Sequence, residues 1–184
     1  MATWKFDSAH TTVAFSTRHM MVTTVRGTFA PPTGTLEFDP QNPAASHVEA
    51  VIDAKTINTG VDMRDNHLRS ADFLEVEKYP TITFKSTHIE VTDDNEGKIT
   101  GDLSIHGITR PVVLKVEYFG KVDSPFGDVR AGFAASTKIN REDWGLTYNT
   151  AIEAGGFVVG KELKIELDLE AILVPETENV TATA

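Results

Sequence analysis

The stretch "LKIELDLEAIL", residues 163–173, decides the fold class. Leu163, Ile165, Leu167 and Leu169 fall on one side of an extended chain, and Lys164, Glu166, Asp168 and Glu170 on the other. A repeat of two residues belongs to a β-strand with one greasy and one wet face, whereas a helix repeats every 3.6. The same alternation recurs upstream: Val13 and Phe15 against Ala14 and Ser16, and Val25, Gly27 and Phe29 against Arg26 and Thr28. Val48, Ala50 and Ile52 oppose Glu49 and Asp53. Ile82, Phe84 and Ser86 oppose Thr83 and Lys85, and Ile99, Gly101, Leu103 and Ile105 oppose Thr100, Asp102, Ser104 and His106. Val112, Leu114, Val116 and Tyr118 oppose Lys115 and Glu117, and Val129, Ala131, Phe133 and Ala135 oppose Arg130 and Ser136.

Strands wet on one side only are the mark of an antiparallel sheet. Turn chemistry separates them: "FDPQNP" at 38–43, "DDNEG" at 93–97, "HGITRP" at 106–111 and "DSPFGD" at 123–128. About eight or nine such strands must bury their greasy faces together, either as a two-sheet sandwich or as one sheet closed into a barrel. Two segments read as helical. In 59–74, Thr59 is placed to cap, Asp65 to pair with Arg69 one turn on, and Val61, Met63 and Leu68 to form the inner stripe. The second is "NREDW" at 140–144, with Asn140 as its cap.

With 184 residues and no linker-like break, a single domain is expected over 1–174, followed by a flexible polar tail at 175–184. The tail carries an N-V-T triplet that matters only in a secreted chain. The formal charge of −10 arises from 17 basic and 27 acidic residues. Such a chain repels polyanions, so no nucleic-acid partner is expected. The absence of cysteine excludes disulfides, thiolate metal sites and a cysteine nucleophile. The opening "MATWKFDSAH" lacks the basic-then-apolar pattern of a secretory leader, and no apolar run is long enough to span a membrane. A cytoplasmic location is expected, unless a leader has been removed.

The stretch "MRDNHLRSADFL", residues 63–74, interrupts the alternation with Arg64, Asp65, His67, Arg69 and Asp72. It reads either as a site or as the wet face of a short helix over something greasy. No phosphate loop, G-x-S-x-G elbow or H-E-x-x-H occurs, and the six histidines show no metal-ligand spacing. No catalytic residue and no metal is assigned. Small residues (Gly27, Gly101, Ala131, Ala135) sit beside bulky ones on the apolar faces. They either leave room inside or fit the taper of a filled barrel. On these physical grounds a filled core remains the default.

Four motifs in order then change the reading. "FDSAHTTVAFSTRHMMVTTVRGTF", "INTGVDMRDNHLRSADFLEVEKYPTITFKS", "GDLSIHGITRPVVL" and "AASTKINREDWGL" resemble the YceI-like family over roughly residues 3–173. The resemblance implies an all-β, eight-stranded antiparallel lipocalin-like barrel whose elongated apolar pore holds an isoprenoid or similar lipid chain. It also implies a homodimer. No cofactor is required. A polyprenyl phosphate, an isoprenoid quinone or a similar lipid is the expected ligand, held for carriage, storage or sequestration.

On that footing Phe15, Phe29, Phe84, Leu103, Phe133 and Trp144 are expected to line the pore, with Met20 and Met21 as adaptable contacts near one end. Residues 59–74 would plug or rim the barrel, with Leu68, Phe73 and Leu74 turned inward and Arg64 and Arg69 held by Asp65 and Asp72. His67 and Arg141 are the candidates for a lipid head group. Two other readings remain: an enzyme on an isoprenoid or quinone precursor using His67 or His106 as base, and a packed dimeric interaction domain without ligand.

Overall fold

The computed structural model describes residues 1–152 and 156–175. The expected tail therefore falls almost entirely outside the described residues. Ten strands form: β1 (Ala2–Phe6), β2 (Thr12–His19), β3 (Thr23–Phe29), β4 (Thr33–Phe38), β5 (His47–Asp53), β6 (Thr81–Val91), β7 (Glu96–Ile105), β8 (Ile108–Asp123), β9 (Val129–Asn140) and β10 (Glu162–Leu173). A helix, α1 (Asp62–Arg69), lies between β5 and β6.

All pairings are antiparallel, and the sheet closes through β1 on β10. β2 pairs with the first part of β10 and β1 with the last part, from Lys164↔Ser16 to Trp4↔Leu173. β3 pairs with β2 and β4 with β1. β1–β2 and β3–β4 are thus two interrupted staves, and the ten strands make an eight-staved barrel. The break at residues 7–11 is held by Thr11, which exchanges hydrogen bonds with the Glu170 backbone. Arg130 reinforces it, pairing with Asp7 at 2.8 Å, with Asp128 at 2.9 Å and with Glu170.

Turn residues read from sequence do their expected work at His106 and Gly107, which both take positive φ (52° and 73°) between the paired ends Ile105 and Ile108. That is the left-handed geometry a two-residue hairpin needs. At the second predicted helix, Asn140 accepts from the Glu142 amide at 3.1 Å and opens a 3₁₀ turn over Arg141–Trp144.

The first helix is shorter than predicted. It begins at Asp62, after Val61, and no side chain caps it. Thr59 instead donates both its amide and its hydroxyl to Asp65, at 2.8 and 2.5 Å. Val61 and Met63 are exposed, so of the expected inner stripe only Leu68 packs inward. This segment compensates for a gap in the wall. Among the described residues, the edge of β3 away from β2 carries the bridge Thr28↔Asn58 and no further strand, and residues 54–76 cover the opening with Ala54, Ile57, Leu68, Leu74 and Val76.

The interior is packed in two regions and hollow between them. Ala54, Ile57, Leu74, Val76, Trp144 and Leu146 belong to one cluster, towards α1. Trp4, Phe38, Ala131, Phe133 and Ala171 close the opposite side. Between them Leu163, Ile165, Leu167 and Leu169 point inward yet are only half-buried. In a filled core such leucines would lose nearly all their accessible surface. They retain it because they face open space.

Candidate functional site: an apolar cavity with unlike ends

The open space is a cavity of about 690 Å³, within the ~300–1,000 Å³ range of ligand pockets. Its walls come from the inward face of nearly every stave. Val13 and Phe15 stand on β2, Phe84 on β6, Leu103 on β7, Leu114 and Val116 on β8, Phe133 and Ala135 on β9, and Leu163 to Leu169 on β10. Of the small inner residues, Ala135 borders the hollow, whereas the two glycines play a different part from leaving room. Phe15 lies over Gly27 and Phe84 over Gly101, so each glycine accommodates a neighbouring ring.

The two ends carry opposite charge. Near α1 the lining includes Arg18, His19, Arg64, His67 and Arg141. At the other end, around the β6–β7 hairpin, it includes Glu90, Asp93, Asp94 and Glu96, with Lys98. The sequence interleaves these residues with others of the opposite sign. Closure of the barrel sorts them.

At the α1 end His67 Nε2 lies 2.8 Å from Asp72 Oδ2. The imidazole meets Phe73 and Tyr148 edge-on at 5.1 and 5.0 Å, and these two rings touch each other at 5.1 Å. The three side chains form one cluster beside the cavity. Arg64 donates from Nε to Thr59 Oγ1 at 2.6 Å and from Nη2 to the Thr59 carbonyl at 2.9 Å. Its link to Asp65 therefore runs through Thr59, where direct pairing was expected. Arg69 pairs with neither aspartate. It donates to the Lys55 and Ile57 carbonyls, both at 2.7 Å, because the covering segment brings those orphan acceptors within reach. Asp72 is engaged by His67 instead.

Of the expected lining residues, Phe15, Phe29, Leu68, Phe73, Phe84, Leu103 and Phe133 border the cavity, as do His67 and Arg141. Three do not. Trp144 is packed into the α1-side cluster, where its indole N–H donates to the Leu103 carbonyl at 3.0 Å. Met20 and Met21 stand on the β2–β3 turn with positive φ (48° and 62°), exposed and outside the cavity lining.

Arg141 differs from a free head-group binder. It is 2% exposed and donates to the carbonyls of Gly160 at 2.9 Å, Val159 at 3.4 Å and Leu146. Burial pulls its guanidinium below the ordinary arginine value. No carboxylate lies in salt-bridge range of it among the described residues. His106 is not at the cavity: it stands in the β7–β8 turn, its ring 4.6 Å from Tyr79 and its Nε2 3.5 Å from Glu75, without a well-formed hydrogen bond.

Reading the sequence missed Tyr148, Arg18 and the β10 leucines as lining residues. The β10 leucines were legible from their alternation; Tyr148 sits in a stretch with no period at all. Spacing also gave no sign that Asp7, His10 and Glu170 place ligand-type atoms within 4.8 Å of one another. There Arg130 already supplies the neutralising cation to both carboxylates.

Comparison with known proteins agrees with this architecture. The chain is 42% identical over 147 residues to protein YceI of Escherichia coli O6:H1 strain CFT073, covering 79% of this chain and 76% of that one. The YCEI protein of Campylobacter jejuni superposes with a TM-score of 0.74 at 29% identity, over 86% of this chain and 90% of the other. A polyisoprenoid binding domain from Saccharophagus degradans shares the fold, with a TM-score of 0.69 at 15% identity over 95% and 100% of the two chains. Residues 4–171 match the YceI-like domain, and the chain belongs to that family.

Proposed function

We propose that the protein binds a long isoprenoid chain in the barrel, with its polar head at the α1 end. The observation that carries this reading is an apolar hollow with cations at one end and carboxylates at the other. Apolar walls supply affinity without specific contacts: a five-carbon isoprene unit contributes roughly 3 kcal/mol before ordering losses. Direction comes from the ends. A phosphate is attracted by Arg18, Arg64 and Arg141 and repelled by Glu90, Asp93, Asp94 and Glu96. The likeness to the Saccharophagus degradans polyisoprenoid binding domain supports the ligand class. A quinone head would gain less from this charge arrangement than a phosphate.

Solvent extraction of the purified protein, followed by mass spectrometry, tests the proposal. So does titration with a fluorescent polyprenyl phosphate. A co-purifying prenyl lipid, or saturable probe binding, is the expected result. A protein that carries none and does not bind the probe would rule it out.

The His67–Asp72 pair at the cavity's end supports a second reading, a base acting on the head of the bound lipid. Turnover that disappears in His67→Ala while probe binding survives would establish it.

A further inference from the structure

We propose that the α1 end of the barrel docks on an anionic lipid bilayer, so that cargo passes between membrane and cavity without crossing water. This rests on the lipid-binding reading above.

Exposed apolar side chains stand on the segments that frame this end, as Val122 and Phe126 do on the β8–β9 hairpin at the other, but among the described residues only here do they border the cationic side of the cavity. On the β2–β3 turn Met21 is 69% and Val22 80% exposed, and on α1 Met63 is 82% exposed. Val61 and Phe157 are exposed beside them. The segments form one connected rim. His67 of α1 meets Tyr148, Val158 donates to the Thr150 carbonyl at 3.0 Å, and Met20 donates to the Val158 carbonyl at 2.9 Å. Tyr148, Thr150 and Val158 also line the cavity, so rim and pore wall are continuous.

The methionines sit where a left-handed backbone disfavours any residue with a side chain. Glycine or asparagine would be easier there, yet the tip presents two flexible apolar groups. Packing within the barrel does not account for them, because both are exposed.

Charge selects the partner. A body of net charge −10 is repelled by an anionic membrane, but its field is not uniform. Arg18, His19, Arg64 and His67 lie at this end, while the carboxylates of the lining gather at the far hairpin. An anionic surface therefore attracts the cavity end and turns the hairpin away. Asp62 beside Met63, Asp72 and Asp143 work against the attraction, while Glu75, Glu77 and Glu142 are paired with Lys78, Lys55 and Lys161. A symmetric dimer through the same face would bring Arg18 and Arg64 towards their own copies, which disfavours a second copy as the occupant.

Flotation of the full chain with phosphatidylcholine vesicles, with and without phosphatidylglycerol, tests the proposal. The double variant Val22→Asp, Met63→Asp alters two exposed positions and no cavity wall. The wild type is expected to float with the phosphatidylglycerol vesicles and to release as salt rises. The variant should lose about tenfold or more in vesicle affinity and bind a fluorescent polyprenyl phosphate as before. Wild-type protein that does not float, or a variant that floats equally, overturns the docking face. So does a wild-type dimer that the variant converts to monomer, which would make this face the contact between copies. Failure of the wild type to bind the soluble probe would instead count against the cavity's proposed ligand, a separate result.

Discussion

Phe15 and Gly27 face each other across β2 and β3, and the phenyl ring occupies the place a side chain at Gly27 would need. A Cβ there would stand 2.4 Å from Phe15 Cζ and 2.8 Å from Thr59 Cγ2. The glycine thus lets one ring lie flat along the wall, which keeps the hollow clear, and it lets the covering segment approach. Gly27→Ala should destabilise the protein by about 1–3 kcal/mol, at roughly 2–4 °C of melting temperature for each kcal/mol. Thermal melts with and without polyprenyl probe check this. Unchanged melting would mean that the ring has room to move.

Leu167 faces the hollow from mid-β10 and is only half-buried. A larger side chain there extends into empty space instead of colliding with a packed neighbour. Leu167→Trp is therefore expected to weaken prenyl-probe binding about tenfold or more while the melting temperature stays within a few degrees. Fluorescence titration and thermal melts report the two effects separately. Loss of both fold and binding would indicate a core rather than a cavity.

Asp65 is 4% exposed and accepts both the amide and the hydroxyl of Thr59, which in turn receives Arg64. Removing the carboxylate in Asp65→Ala leaves the Thr59 amide without that acceptor, a loss of about 1–3 kcal/mol. The loss is local to the segment covering the β3 edge. Hydrogen exchange should accelerate in residues 54–76 ahead of the strands, and bound probe should leave faster. Uniform acceleration across the barrel would show that the segment is not an independent cover.

The clasp at the β1–β2 break carries a pH signature. His10 Nδ1 lies 2.8 Å from Asp7, and this hydrogen bond, with the Ala9 amide, holds the Asp7 carboxyl down at about 2. The same bond, with the nearby Glu170 charge, raises His10 above its usual 6.5. The Asp7 contribution is present above pH ~4 and is lost as pH falls through about 2. The His10 contribution is complete below its ordinary value near 6.5 and is lost as pH rises through the raised one. Both act together between roughly pH 4 and 6.5. Melting curves should therefore show a decline for wild type above pH 6.5 that is smaller in His10→Ala. Parallel pH profiles for the two proteins would remove the clasp from the account.

The misreadings share a cause. Thr59 as cap and Asp65–Arg69 as a pair follow from helical spacing, which assumes the helix stands alone. In the barrel, Arg69 finds carbonyls at Lys55 and Ile57, more than ten residues away in sequence, and Asp65 turns back to Thr59. Trp144 was expected at the pore because it is large and apolar. Size says nothing about whether a side chain meets a hollow or a packed cluster, and its indole N–H goes to the Leu103 carbonyl. Asn140 was read correctly because its cap bond spans two residues and needs no distant partner.

The amino-acid order alone determined the strands, their turns and the greasy side of each, because those depend on the two-residue repeat and on backbone preferences within a few positions. Whether the greasy sides would meet or stand apart was decided only in three dimensions. It depends on how many staves close the ring and on where rings such as Phe15 and Phe84 lie. The separation of Arg18, Arg64 and Arg141 from Glu90, Asp93, Asp94 and Glu96 has the same origin: the two ends of a barrel collect residues from opposite ends of many strands, and no local pattern records which of them will meet.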